Sequence, residues 1–160
     1  MTYEFTLEQA YDILQGADAS ARAEAIKFLG EQRYAPAVPL LAELVEEADP
    51  GTRFLAAQAL GQIGDEAEAA VPALLFALRA NDMYLRMATT GALIKIGEPA
   101  VAGLIRALFD SNNAVRRASA KALGKIGSDR AVNALAVAVK DQDPTVRKMC
   151  QEALDRIQAD

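Results

Sequence analysis

The sequence predicts an all-α solenoid of about five helix pairs, and three observations carry that prediction. Arginine recurs at Arg22, Arg53, Arg86, Arg116 and Arg147, at intervals of 31, 33, 30 and 31 residues. Four positions before each stands a short acceptor side chain: Asp18, Asp49, Asp82, Asn112 and Asp143. Seven positions after each stands a leucine: Leu29, Leu60, Leu93, Leu123 and Leu154. A fixed period of this length marks stacked units, none of which can bury its apolar face alone.

The elements follow in order. Thr6-Leu7-Glu8-Gln9 has capping-box spacing and opens a first helix over residues 7–15. The second helix of each unit starts after the acceptor residue. In Asp49-Pro50 and Asp143-Pro144 an N-cap precedes a proline at the first helical position, where its missing N–H costs nothing. Gly64, Gly97 and Gly127 fall just past the last apolar residue, where a left-handed C-cap favours glycine. The next first helices open at Ala37-Val38-Pro39, Ala70-Val71-Pro72, Ala100-Val101-Ala102 and Ala131-Val132-Asn133. Val71, Leu74, Leu75 and Leu78 share one helical face. No stretch alternates with period two, so no strand is predicted.

The whole chain, 1–160, is thus one repeat domain, with units at about 6–33, 34–64, 65–97, 98–127 and 128–158. The recurrent Asp, Asn and Arg residues are expected near one edge, pairing between neighbouring repeats as a structural ladder, each exposed pair being worth about 0–1 kcal/mol. Thr89-Thr90-Gly91 and Gly103 are read as sites of close packing or of a local bend.

Composition removes much chemistry. The 160 residues contain no histidine, no tryptophan and a single cysteine, Cys150. His-based triads, His-containing and four-cysteine zinc sites and internal disulfides are therefore absent. Cys150 occupies the slot of Ala25, Ala56, Thr89 and Ser119, a small packing position. Hydrophobic residues make up 52% and charged residues 24%, a composition that folds. The amino terminus, Met1-Thr2-Tyr3-Glu4-Phe5, has no basic or apolar leader region, and no apolar run is long enough to span a bilayer. A cytoplasmic location without membrane contact is the default expectation.

The net charge of −5 hides a gradient. Residues 1–80 hold five basic and thirteen acidic residues, a net −8, whereas residues 81–160 hold twelve and nine, a net +3. Nonspecific nucleic-acid binding needs many phosphate-neutralising cations, and the acidic first half argues against it.

Asp143-Pro144-Thr145-Val146-Arg147, Ala120-Lys121-Ala122-Leu123-Gly124-Lys125-Ile126-Gly127 and Ala131-Val132-Asn133-Ala134-Leu135 resemble HEAT repeats, and more narrowly the HEAT-like repeats of phycobilisome (phycobilin) lyase subunits. The resemblance covers nearly all of residues 6–158. It implies a right-handed, armadillo-like α-solenoid that serves as a protein-binding scaffold, with the second helices lining its concave side. Members resembling lyase subunits assist bilin attachment or removal, or antenna breakdown. Deoxyhypusine hydroxylases share the repeat but bind two irons through His-Glu pairs, which a chain without histidine cannot supply.

If the second helices line the concave side, their unpacked positions form a ridge from each repeat. The middle of that surface is apolar and aromatic: Phe54, Leu55, Tyr84 and Met87. Beside it runs a basic stripe of Lys95, Arg117, Lys121, Lys125, Lys148 and Arg156. An apolar patch rimmed by charge is how a partner-binding groove looks, here for an acidic, partly apolar segment of another protein. The plainer reading is that the apolar residues cover the core between repeats and the lysines form a solvated face. Phe76 and Phe109 fall on the convex side, Phe109 beneath the turn Asp110-Ser111-Asn112-Asn113.

No nucleophile–base pair, metal cluster or phosphate loop is present, so the expectation is a non-enzymatic scaffold or adaptor, monomeric or weakly dimeric, with another protein as partner and no cofactor. The alternative is an accessory factor of bilin biology, a lyase-like chaperone or antenna-degradation adaptor in which the basic residues beside Tyr84 meet bilin propionates.

Overall fold

In the computed structural model residues 5–47 and 49–159 are described, so Met1-Thr2-Tyr3-Glu4 lies outside the described residues. Among the described residues ten α-helices run in consecutive pairs. They are α1 (Leu7–Ile13) with α2 (Ala19–Glu31), α3 (Val38–Val45) with α4 (Pro50–Ile63), and α5 (Val71–Ala77) with α6 (Met83–Ile96). The last pairs are α7 (Val101–Ala107) with α8 (Asn113–Ile126), and α9 (Val132–Ala138) with α10 (Pro144–Ala159). The described residues contain no strand, and no helix is long and apolar enough to cross a membrane. The second helices α2, α4, α6, α8 and α10 stack side by side, as do the first helices α3, α5 and α7, giving a right-handed α-solenoid.

Caps set the helix starts. Thr6 and Gln9 form the reciprocal capping box of α1. Asp18 accepts from the Ser20 and Ala21 amides, Asp49 from Thr52, Asp82 from Leu85, Asn112 from Ala114, and Asp143 from Thr145 and Val146. These side chains satisfy amides that the first helical turn leaves unpaired. The first helix ends at Ile13, shorter than its pattern suggested, because Gly16 and its neighbours turn the chain toward α2.

The helix ends hold a finer distinction. Gly64, Gly97 and Gly127 all have positive φ, at 84°, 75° and 76°. Only Gly127 is in the left-handed helical region expected of a C-cap; Gly64 and Gly97 have ψ of −140° and −131°, a region open essentially to glycine alone. In the first repeat the equivalent position is Arg33, the one non-glycine with positive φ among the described residues, at 52°.

The core is a continuous sheet of leucine, isoleucine, valine and alanine between the two helix layers. Leu29, Leu60, Leu93 and Leu123 are fully buried and Leu154 nearly so. Glycines let second helices touch at backbone distance. A Cβ placed on Gly30, Gly61 or Gly124 would stand 2.8–2.9 Å from the Cα of Ala59, Ala92 or Ala153 on the next second helix. Gly103 does the same between first helices, 2.7 Å from Leu75 Cδ1. Gly91 does not: a Cβ there meets nothing within 4 Å, so close packing is not the reason for that glycine. Cys150 and Ser119 are fully buried at the small packing position, as is Thr89, whose hydroxyl has no hydrogen-bond partner.

Candidate functional site

The ladder of Asp and Arg residues is built differently from the sequence expectation. Each Asp or Asn caps its own second helix, and none pairs with the arginine four residues on. The arginines reach backward instead. Arg53 Nε donates to the Val45 carbonyl at 2.9 Å, Arg86 to Ala80, Arg116 to Asp110 and Ser111, and Arg147 to Asp141 and Gln142. Each of these four guanidinia thus ties the second helix to the turn that precedes it: Val45 is the last residue of α3, and the other acceptors lie in the loops that follow α5, α7 and α9.

Contacts between repeats come mostly from other acids. Arg22 reaches Glu47 at 3.5 Å, Arg116 grips Asp141, Arg117 pairs with Asp143, Arg79 with Asp110, and Arg130 with Glu98. The Arg117 guanidinium, hydrogen-bonded to Asp143, holds that carboxyl at about 2 despite some desolvation. Burial pushes Asp141 upward, but the Arg116 hydrogen bonds and the Asp143 amide outweigh it and leave it below the usual carboxylate range. Between these loops lies an open polar depression of about 750 Å³ whose charges are largely consumed by one another.

The second-helix face contains the candidate site. Met83, Tyr84 and Met87 are 58%, 68% and 64% exposed on successive turns of α6. Between α6 and α8 opens a cleft of about 230 Å³ lined by Met83, Met87, Ile94, Ala114, Ala118 and Lys121. A second cleft of about 250 Å³ separates α8 from α10, lined by Lys121, Lys125, Met149, Glu152 and Arg156. Lys121 belongs to both. Large exposed apolar side chains grouped on one face are uncommon on a free surface and mark contact sites.

The expected groove residues divide accordingly. Tyr84 and Met87 stand free on α6, and Lys121, Lys125 and Arg156 wall the clefts. Phe54 and Leu55 are both half-buried, and Leu55 packs against the core instead of standing free. Lys95 leans back over α4, its Cδ 3.5 Å from where a Cβ of Gly61 would be. Arg117 is occupied by Asp143, and Lys148 lies 3.8 Å from Glu152. Met83 and Ile94 were not anticipated. The signal was in the sequence, since Ile94 stands eight residues after Arg86, where Gly30, Gly61 and Gly124 stand after Arg22, Arg53 and Arg116. On the opposite face Phe76 and Phe109 are both exposed, so Phe109 does not pack beneath its turn.

No group of three or more metal-ligating side chains occurs among the described residues. Burial, and secondarily Asp141, pushes the Cys150 thiol up to about 11, leaving it without thiolate character. What remains is shape and charge: paired helices stacked into a right-handed solenoid, with an apolar and basic face on the second helices. That defines a repeat scaffold.

Comparison with known proteins makes this specific. The chain belongs to the HEAT-repeat family, whose model matches residues 7–94 and 71–155, and it is similar to phycocyanobilin lyase subunits. It is 30% identical over 155 residues to the uncharacterized phycocyanin operon protein Z of Pseudanabaena tenuis (strain PCC 7409), covering 91% of this chain and 77% of that one. It is 34% identical over 121 residues to the phycocyanin alpha phycocyanobilin lyase CpcF of Synechocystis sp. (strain ATCC 27184 / PCC 6803 / Kazusa), covering 74% of this chain and 55% of that relative. The chain therefore spans little more than half the length of that lyase. Among solved structures, the CpcE–CpcF complex of phycocyanin lyase from Nostoc sp. PCC7120 superposes with a TM-score of 0.67 at 28% identity, covering 99% of this chain and 67% of that one.

Proposed function

We propose that this chain is a non-enzymatic, partner-binding scaffold that engages another protein along its second-helix face, in a role accessory to bilin attachment or antenna turnover. The observation that carries the reading is the exposed cluster of Met83, Tyr84 and Met87 on α6, whose two methionines line the α6–α8 cleft. Kinship with lyase subunits, one of them solved as a two-chain complex, supports a protein partner. A non-catalytic role is supported by the burial of Cys150, the sole thiol.

Cleft size favours a protein segment over a tetrapyrrole. At about 230 and 250 Å³, neither cleft reaches the roughly 300–1,000 Å³ of sites that enclose a small ligand. The size of these two clefts supports protruding side chains of a larger partner over an enclosed bilin on this face.

Titration calorimetry against purified phycocyanin alpha subunit and against the CpcE–CpcF pair tests this reading. Binding to at least one is expected, weakened tenfold or more by Tyr84→Ser with Met87→Ser. Equal affinity for wild type and variant, or no binding to either, would refute it. Added phycocyanobilin alone is expected to leave its absorbance unchanged.

A further inference from the structure

We propose that the α6–α8 cleft receives the apolar edge of an acidic amphipathic helix from the partner, and that it exists because Ile94 stands where the other stacked repeats carry glycine. This rests on the partner-binding reading above and specifies the chemistry of the partner.

The glycine rule comes from the stacking itself. Gly30, Gly61 and Gly124 meet Ala59, Ala92 and Ala153 at backbone distance, and each alanine lies six residues after its own repeat arginine. At the junction of the third and fourth repeats the corresponding residues are Ile94 and Ala122. A branched side chain of four carbons does not fit where a single Cβ already collides. α6 and α8 accordingly pack less intimately than α2 with α4, α4 with α6, or α8 with α10. Ile94 is only half-buried and lines the opening it creates.

The occupant is read from the walls. From Met83 to Ile94 the apolar lining runs eleven residues along α6, about 16 Å at the 1.5 Å rise of a helix. That length takes three turns of a helix presenting apolar residues at i, i+4 and i+7, laid between the ridges of two neighbours. Methionines suit the purpose because their unbranched, polarisable side chains adapt to what enters.

Charge gives the sign. Neither α6 nor α8 contains an aspartate or glutamate. Arg86, Arg116 and Arg117 are consumed by backbone carbonyls or by Asp141 and Asp143. Lys121 and Lys125 remain, exposed, one turn apart on α8, and without an ion pair among the described residues. Lys121 lines this cleft and Lys125 stands one turn further along α8, on the rim of the neighbouring cleft that Glu152 shares; two cations at i and i+4 on this ridge complement a helix with carboxylates at the same spacing on one flank. In a chain of net charge −5 that local sign is the opposite of the whole.

Fluorescence anisotropy with the full chain tests it. The probe is a labelled, stapled 15-residue helical peptide with leucine at i, i+4 and i+7 and glutamates four apart on one flank; its counterpart carries lysine for glutamate. The acidic peptide is expected to bind at least tenfold tighter than the basic one. Lys121→Glu with Lys125→Glu should abolish that preference, and Ile94→Gly, which closes the cleft, should weaken binding fivefold or more. Met87→Ser, a surface change that leaves folding intact, should do likewise. Equal affinity for the two peptides, or acidic-peptide binding indifferent to Met87→Ser, overturns the proposal. If the peptide fails while Tyr84 and Met87 still govern binding of the phycocyanin alpha subunit or CpcE–CpcF, the acidic helix is wrong and the scaffold reading survives. Failure of both removes both.

Discussion

Arg116 grips Asp141 with two parallel hydrogen bonds, Nε to Oδ2 at 2.8 Å and Nη2 to Oδ1 at 3.1 Å, across the junction of the fourth and fifth repeats. Both side chains are nearly buried, at 7% and 11% exposure, and the same guanidinium also donates to two carbonyls in the loop after the preceding first helix. One side chain therefore closes its own helix pair and ties it to the next. Asp141→Ala removes the inter-repeat half and leaves the cation short of partners, and about 2–3 kcal/mol of stability should be lost in urea unfolding. Arg116→Lys should cost a similar amount, because an ammonium cannot supply the fork.

The glycines of the stack should respond in opposite directions. At Gly124 an added methyl meets Ala153 at 2.8–2.9 Å, and Gly124→Ala should destabilise by about 1–3 kcal/mol. At Gly91 the same change meets open space and gains helix propensity, so Gly91→Ala should stabilise by about 1 kcal/mol. Thermal melts of the two variants, side by side, check both signs.

Arg33 has a positive φ at the position where Gly64, Gly97 and Gly127 stand in later repeats, and its guanidinium donates to the Ile63 carbonyl at 3.1 and 3.3 Å. The backbone strain and the hydrogen bonds oppose one another. Arg33→Gly should therefore be nearly neutral, whereas Arg33→Ala keeps the strain, loses the bonds, and should cost about 1–2 kcal/mol by chemical denaturation.

Asp143 sits at about 2 because it is paired with Arg117. A carboxyl with a lowered folded-state value stabilises the fold above its ordinary value near 3.8, and that contribution disappears as pH falls through 2. The melting temperature should fall between pH 4 and pH 2, and Arg117→Gln should make that fall shallower. An identical profile in the variant would contradict the assignment.

Cys150 is buried, with its thiol pushed up to about 11. Ellman's reagent at pH 8 should leave the native chain unlabelled and modify one thiol per chain in denaturant, on the time course of unfolding.

The repeat was legible because its signals are local. A cap residue, an arginine four positions on and a leucine seven beyond it lie within one helix, and helix geometry fixes what each does. What the arginines grip was not legible, since Val45, Ala80 and Asp110 offer backbone carbonyls that carry no residue identity. Leu55 and Tyr84 look alike as ridge positions, yet the first packs against the core and the second is exposed.

The sequence by itself determined the solenoid, its period, its helix caps and the absence of histidine and reactive thiol chemistry, because periodicity and capping act over a few residues. Only the tertiary structure decided which charged groups are spent on one another and where the stack parts. Both depend on distances between residues thirty positions apart, and at Ile94 one side chain too large for a backbone contact turns a packed junction into a cleft.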